Sequence, residues 1–196
     1  MKRVFSLLMI ILCVVTLSSC GKNDNVVNND TGKEVKEEYT SNGEKNPVAG
    51  KSITEFKVKD IYGNEVTQDI FKDKKITMIN IWATFCGPCI EEIPYLQEIY
   101  AEKREEGFNL LGIVADGNSE ENIEMAKKII EKSNVEYKNI LIGDSSLKDI
   151  VSEFKYVPVS IFVDSEGKIK DVFSAGAESK EEYLEKINSL LEKESK

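Results

Sequence analysis

The sequence predicts an α/β domain: one mixed central β-sheet flanked by helices on both faces. Three observations carry that expectation. Residues 76–83 and 108–115 are two nearly continuous apolar runs, as expected of strands buried on both sides. A helical pattern separates them, and strands joined through helices run parallel. Near the C-terminus, strand-like stretches over 157–163 and 168–173 flank the turn Asp164-Ser165-Glu166-Gly167, which calls for an antiparallel pair.

Taken in order, the chain opens with Lys2, Arg3 and a short apolar run over 4–17. That run is too short to cross a membrane and suits the core of a signal peptide. It ends in Leu17-Ser18-Ser19-Cys20-Gly21, which resembles the bacterial lipobox. The resemblance implies cleavage before Cys20 and lipid attachment to it. Residues 1–19 are therefore expected to be a lipoprotein signal peptide. Residues 20–47 are expected to be the lipidated cysteine and a flexible linker, and 48–196 the folded domain. The linker is rich in Asn, Asp, Lys, Glu and Gly and cannot form a core. A flexible tether of that length spans roughly 30 Å.

Within the domain, Phe56-Lys57-Val58-Lys59-Asp60 alternates apolar and polar residues, as a half-buried strand does. Tyr62-Gly63-Asn64 turns the chain and Glu65-Val66-Thr67 returns it, giving an N-terminal β-hairpin. Residues 88–105 read as a helix with Ile90, Ile93, Leu96, Ile99 and Tyr100 at helical spacing, and Pro94 predicts a kink inside it. Asn118 or Ser119 can cap a helix whose apolar positions are Ile123, Ala126, Ile129 and Ile130. A short strand over 137–142 and a short helix over 145–154 follow. Ser179 with Glu182 forms a capping-box pattern, and the last helix shows Tyr183, Leu184, Ile187, Leu190 and Leu191 on one face.

Composition excludes several functions. The 196 residues carry a net charge of −9 and show no basic patch interleaved with aromatics, so nucleic acid is not expected as a partner. There is no histidine. That removes Cys-His proteases, Ser-His-Asp hydrolases, His-ligated zinc or copper and most haem sites.

The chemistry concentrates in Trp82-Ala83-Thr84-Phe85-Cys86-Gly87-Pro88-Cys89, between an apolar strand and a helix. Two cysteines spaced this way form a dithiol that can cycle with a disulfide. Cys86 falls near the helix N-terminus, where unpaired N–H groups and the dipole favour a thiolate. Such a placement lowers a thiol pKa from about 8.5 toward about 7. Cys89, one turn on, can attack a mixed disulfide formed on Cys86. A zinc site would need two further soft ligands. Loss of Cys13 with the signal peptide and lipidation of Cys20 leave none. A purely structural disulfide would close a very small loop and stabilise little. No cofactor and no metal is expected.

Cys86-Gly87-Pro88-Cys89 is the thioredoxin active-site tetrad, and residues 80–94 resemble the TlpA/ResA-like branch of membrane-tethered, extracytoplasmic thiol–disulfide oxidoreductases. The likeness covers about 48–193, including the leading hairpin, an inserted helix near 119–132 and Val157-Pro158 before a strand. It implies a thioredoxin fold with Cys86 as nucleophile, Cys89 as resolver and a redox disulfide between them. Val157-Pro158 matches the cis-proline loop that faces the dithiol, where the Val157 backbone can pair with an extended substrate.

Glu92 matches a glutamate that this branch carries near its cysteines. It can take a proton from Cys89 or shift the thiol pKa values; otherwise it is an exposed helix residue, as Glu91 is expected to be. Trp82, Gly87, Pro88 and Asn80 are expected to support the site. Asn80 stands where cytosolic thioredoxin carries a buried Asp, and an amide cannot accept the proton, so a base must be Glu92 or water. Phe85 replaces the usual Trp beside the first cysteine.

Gly-Pro between the cysteines resembles reducing thioredoxins, whose potential is about −270 mV. The resemblance implies a lipid-anchored reductase of protein disulfides on the extracytoplasmic face of the cell membrane. Its electron donor would be a membrane thiol transporter of the CcdA/DsbD kind. Targets of the apocytochrome c or methionine sulfoxide reductase type would place it in cytochrome c biogenesis or antioxidant repair. Two other readings stay open: an oxidase that forms disulfides in exported proteins, and a non-catalytic binding lipoprotein on the same scaffold. Peroxidase chemistry is disfavoured, because no Pro-x-x-x-Thr-x-x-Cys pattern precedes Cys86.

Overall fold

A computed structural model describes residues 44–195. The expected signal peptide, Cys20 and most of the linker lie outside the described residues. The elements run β1 (Lys57–Lys59), β2 (Glu65–Thr67), β3 (Ile76–Trp82), α1 (Gly87–Lys103), β4 (Phe108–Val114), α2 (Glu120–Lys132), β5 (Lys138–Leu141), α3 (Leu147–Val151), β6 (Val159–Val163), β7 (Ile169–Ala175) and α4 (Lys180–Lys193). Five strands form one sheet in the order β5-β4-β3-β6-β7, and β1 pairs with β2 in a separate hairpin. The pairs β3–β4 and β4–β5 are parallel, whereas β3–β6 and β6–β7 are antiparallel. This is the mixed sheet that helix-separated strands and a late hairpin require.

β3 and β4 are buried along their whole length, which makes them the centre of the sheet. Alternation along them supplies both faces. Ile79, Ile81, Leu111 and Ile113 face a core closed by Phe56, Phe71 and Leu147. Ile76, Met78 and Leu110 face the other core, where Leu96, Ile99, Tyr183 and Ile187 of α1 and α4 cover the sheet. α2 starts at Ser119, whose hydroxyl accepts the Asn122 N–H. α4 starts at the full Ser179–Glu182 capping box. The chain is already anchored at Asn46, whose amide donates to the Lys170 carbonyl at 2.8 Å and accepts the Val48 N–H at 3.1 Å.

Several boundaries differ from the sequence expectation, each for a local reason. The strand expected from residue 157 begins at Val159. Pro158 has no N–H for the ladder, and the Val157–Pro158 bond is cis. The helix expected over 145–154 shrinks to α3, because Ser145 Oγ donates back to the Ile142 carbonyl at 2.6 Å and holds a turn. The strand expected over 56–60 narrows to β1, since Asp60 leaves it to bind the turn, accepting the N–H groups of Tyr62 and Asn64. An unanticipated 3-10 turn at Gln68–Phe71 is capped by Thr67 and drives Phe71 into the core. α1 continues as one helix through Pro94, which is exposed.

Candidate active site

Topology sets the site at one end of the central strand. β3 ends at Trp82, and α1 begins five residues later at Gly87. β6 runs antiparallel to β3 with Val159 opposite Ile81, so the loop ahead of β6 arrives at that same end. The dithiol and the cis-proline loop are brought together by this register.

Cys86 is the N-cap of α1, with extended backbone, and its sulfur accepts the Cys89 N–H at 3.3 Å. Pro88 sits in the first turn, where a missing N–H costs nothing. Cys86 and Cys89 form a disulfide, with Cα atoms 5.3 Å apart. Cys89 is fully buried, while Cys86 retains 7% of its surface. The carbonyl oxygen of Val157 lies 3.6 Å from Cys86 Sγ. Around this sulfur the surface is mostly apolar, with Asp116 and Lys155 as its charged members. Phe85 is 79% exposed, Gly87 and Pro88 are exposed, and an open groove of about 570 Å³ continues past Phe154, Tyr156 and Val157.

The loop before Cys86 is pinned from β4. Asp116 accepts the Thr84 N–H at 3.1 Å and the Thr84 hydroxyl at 2.5 Å, and its own carbonyl accepts the Asn122 amide at 2.7 Å. Trp82 packs in one cluster with Cys86, Cys89 and Ile93. Its indole N–H donates to Asn139 Oδ1 at 2.9 Å. Gly112 lies under that bond. A Cβ there would stand 1.9 Å from Asn139 Oδ1, so the close approach requires glycine.

One turn along α1 from Cys89 lies a buried polar cluster. Glu92 is fully buried, whereas Glu91 is exposed. Asn80 Nδ2 donates to Glu92 Oε1 at 2.7 Å, and Tyr183 Oη donates to Glu92 Oε2 at 3.1 Å. Burial pushes the Glu92 carboxyl up to about 7; the Asn80 and Tyr183 hydrogen bonds pull it back, and the nearby Glu178 charge adds to the rise. Glu178 is itself ion-paired with Lys186, both side chains largely buried. A carboxyl poised near neutrality can both take and return a proton at physiological pH.

The structure thus gathers Asn80, Trp82, Cys86, Gly87, Pro88, Cys89, Glu92, Val157 and Pro158 at one end of the sheet. Cys20 lies outside the described residues. Four neighbours of the site escaped the sequence reading: Asp116, Asn139, Ser160 and Tyr183. Ser160 carried a usable signal, being a polar residue inside the apolar strand β6, as Asn80 is inside β3. Asp116 lies two residues past the buried run of β4, at the sheet end that bears the site. Tyr183 carried none, because it reads as one more apolar position on α4. Among the described residues no group of His, Cys, Asp or Glu could hold a metal, and no helix is long and apolar enough to cross a membrane.

Residues 48–189 match the Redoxin family. The chain is 29% identical over 154 residues to the thiol-disulfide oxidoreductase ResA of Bacillus cereus, covering 76% of this chain and 83% of that protein. Among solved structures, the thioredoxin domain of a thiol-disulfide oxidoreductase from Bacteroides vulgatus superposes with a TM-score of 0.58 at 27% identity. That match covers 73% of this chain and 97% of that one. StoA from Bacillus subtilis shares the fold with a TM-score of 0.54 at 20% identity, covering 72% of this chain and 99% of that one.

Proposed function

From the chain's membership of the Redoxin family, in which it is a thiol–disulfide oxidoreductase of the ResA/TlpA type, we propose that it reduces protein disulfides on the outer face of the cell membrane, tethered through lipid on Cys20. The observation that carries this reading is the Cys86–Cys89 pair at the head of α1, with one sulfur at the surface and the other sealed behind it.

The proposed cycle moves two electrons. The Cys86 thiolate attacks a substrate disulfide, forming a mixed disulfide and expelling one substrate thiolate. Glu92 accepts the Cys89 proton, and the Cys89 thiolate attacks Cys86 Sγ. The Cys86–Cys89 disulfide closes, and the second substrate thiolate leaves to be protonated. The substrate disulfide is reduced and the enzyme dithiol oxidised. A donor dithiol, in this reading that of a CcdA/DsbD-type membrane transporter, restores the pair. Phe85 and the apolar groove would seat the substrate, and the Val157 backbone would pair with its extended chain. Apocytochrome c and methionine sulfoxide reductase are the target types proposed.

Trapping tests the reading. Cys89→Ser should hold a protein target as a stable mixed disulfide identifiable by mass spectrometry, and Cys86→Ser should abolish insulin reduction. A redox titration should give a potential near that of thioredoxin, about −270 mV; a value well above about −200 mV would turn the assignment to an oxidase. Radiolabelled palmitate should enter the wild type and not Cys20→Ser.

A further inference from the structure

Four side chains close a ring of hydrogen bonds that includes Glu92, one turn along α1 from Cys89. Asn80 Nδ2 donates to Glu92 Oε1 at 2.7 Å and to Ser160 Oγ at 3.1 Å. Ser160 Oγ and Tyr183 Oη stand 3.5 Å apart, and Tyr183 Oη donates to Glu92 Oε2 at 3.1 Å. All four residues are wholly buried.

With Glu92 ionised, the hydrogens in this ring run in one direction. An amide nitrogen donates and does not accept, so Ser160 receives from Asn80 and has its own hydrogen left for Tyr183. Tyr183 has a single hydrogen, which goes to Glu92. Among the described residues Asn80 Oδ1 has no partner, so the amide serves the ring wholly as a double donor. Two donors therefore converge on the carboxylate. Protonating Glu92 at Oε2 would force Tyr183 and then Ser160 to turn around. In the ionised acid both carboxylate oxygens receive a donor, which offsets part of the burial that opposes the charge.

We propose that Tyr183, carried by the C-terminal helix, is the positioning residue that keeps Glu92 ready to receive the Cys89 proton, with Ser160 orienting the Tyr183 hydroxyl. This rests on the reading of Glu92 as the proton acceptor. The other titratable groups facing Glu92 are Cys89 one turn back on α1, Tyr95 also on α1, Glu178 with its partner Lys186, and Tyr137 ahead of β5. Glu178 pushes the Glu92 carboxyl upward, and the Tyr95 and Tyr137 hydroxyls are pushed upward by burial and by the Glu92 charge. Tyr183 is the only one of these that donates directly to Glu92.

The experiment follows resolution by Cys89 in the full chain, held in detergent. Reduced protein reacts with an aromatic disulfide reagent at Cys86, and release of the second aromatic thiolate reports the attack of Cys89. The wild-type rate should inflect near the Glu92 value of about 7. Glu92→Gln should lose that inflection. Tyr183→Phe keeps the aromatic side chain and removes only the hydroxyl. It should keep the inflection but move it upward by about one pH unit, the shift expected for one lost hydrogen bond to a charge. Ser160→Ala should move it the same way by less, and Glu92→Gln/Tyr183→Phe should match Glu92→Gln. A purely structural role for Tyr183 would lower stability without displacing the inflection. An unmoved inflection in Tyr183→Phe, or in Ser160→Ala should Tyr183→Phe not fold, overturns this inference while the Glu92 reading stands. An inflection that survives in Glu92→Gln overturns the Glu92 reading itself.

Discussion

The backbone N–H of Cys89 points at the sulfur of Cys86 from 3.3 Å, so Cys86 caps the helix that carries its own partner. The first turn of an α-helix leaves N–H groups without internal acceptors. Here one of them is directed at a sulfur, where it favours negative charge together with the helix dipole. The same geometry keeps Cys89 behind Cys86, out of contact with solvent. One sulfur meets substrate and the other meets only the first.

That asymmetry sets an order of reactivity. In reduced protein near neutral pH, iodoacetamide should modify Cys86 at least about tenfold faster than Cys89, because both thiolate character and access favour it. Peptide mass spectrometry after short exposures measures the ratio. Equal rates would show that Cys89 reaches solvent when the disulfide opens.

Glu92 makes a stability prediction with a definite sign. Its folded pKa of about 7 lies above the ordinary value of 4.5. Between those two values the folded state binds more protons than the unfolded state, so stability falls as pH rises through that window. Below about 4.5 the acid is neutral in both states and the penalty is absent. Above about 7 the full penalty is present, on the order of 3 kcal/mol for a shift of this size. Glu92→Gln should remove the slope. Its urea midpoint relative to wild type should therefore improve steadily from about pH 5 to about pH 8. A difference that does not change with pH would place the Glu92 carboxyl in contact with water.

Trp82 reports on the site through Asn139. The indole packs with both cysteines and donates to Asn139 Oδ1. Reduction with dithiothreitol should change its emission, and Trp82 is the only tryptophan in the chain, so the signal is unambiguous. Gly112→Ala places a Cβ 1.9 Å from Asn139 Oδ1. That clash should break the indole bond and destabilise the fold by about 2 kcal/mol or more, since a buried donor loses its acceptor and the core must shift. A urea midpoint equal to wild type in Gly112→Ala would show that Asn139 can move aside freely.

Much of the fold was readable in local pattern. The unbroken apolar runs of β3 and β4, the alternation at Val58, the Ser179–Glu182 box and the turn at Asp164 each act over a few residues. Their signals survive in sequence because the physics that produces them is short-ranged. Boundaries were less readable where a side chain competed with the backbone, as Ser145 does before α3 and Asp60 does after β1. The dithiol was readable for the same reason as the strands. It is a contiguous motif whose chemistry follows from its place at a helix start.

The surroundings of the dithiol followed a different rule. Asn80 is 12 residues from Glu92, Ser160 is 80 from Asn80, and Tyr183 is 91 from Glu92. No local signature links them. They meet because the antiparallel register sets Asn80 opposite Ser160, and because α4 packs over the sheet face that Glu92 reaches from α1.

By itself, then, the amino-acid order determined where the strands and helices form, where the two sulfurs sit on a helix, and which chemistry they can perform. Only the tertiary structure decided that Glu92 is sealed from water and ringed by donors. Burial and proton affinity depend on which distant side chains fill the space around a carboxyl, and that is settled when the sheet and its helices pack.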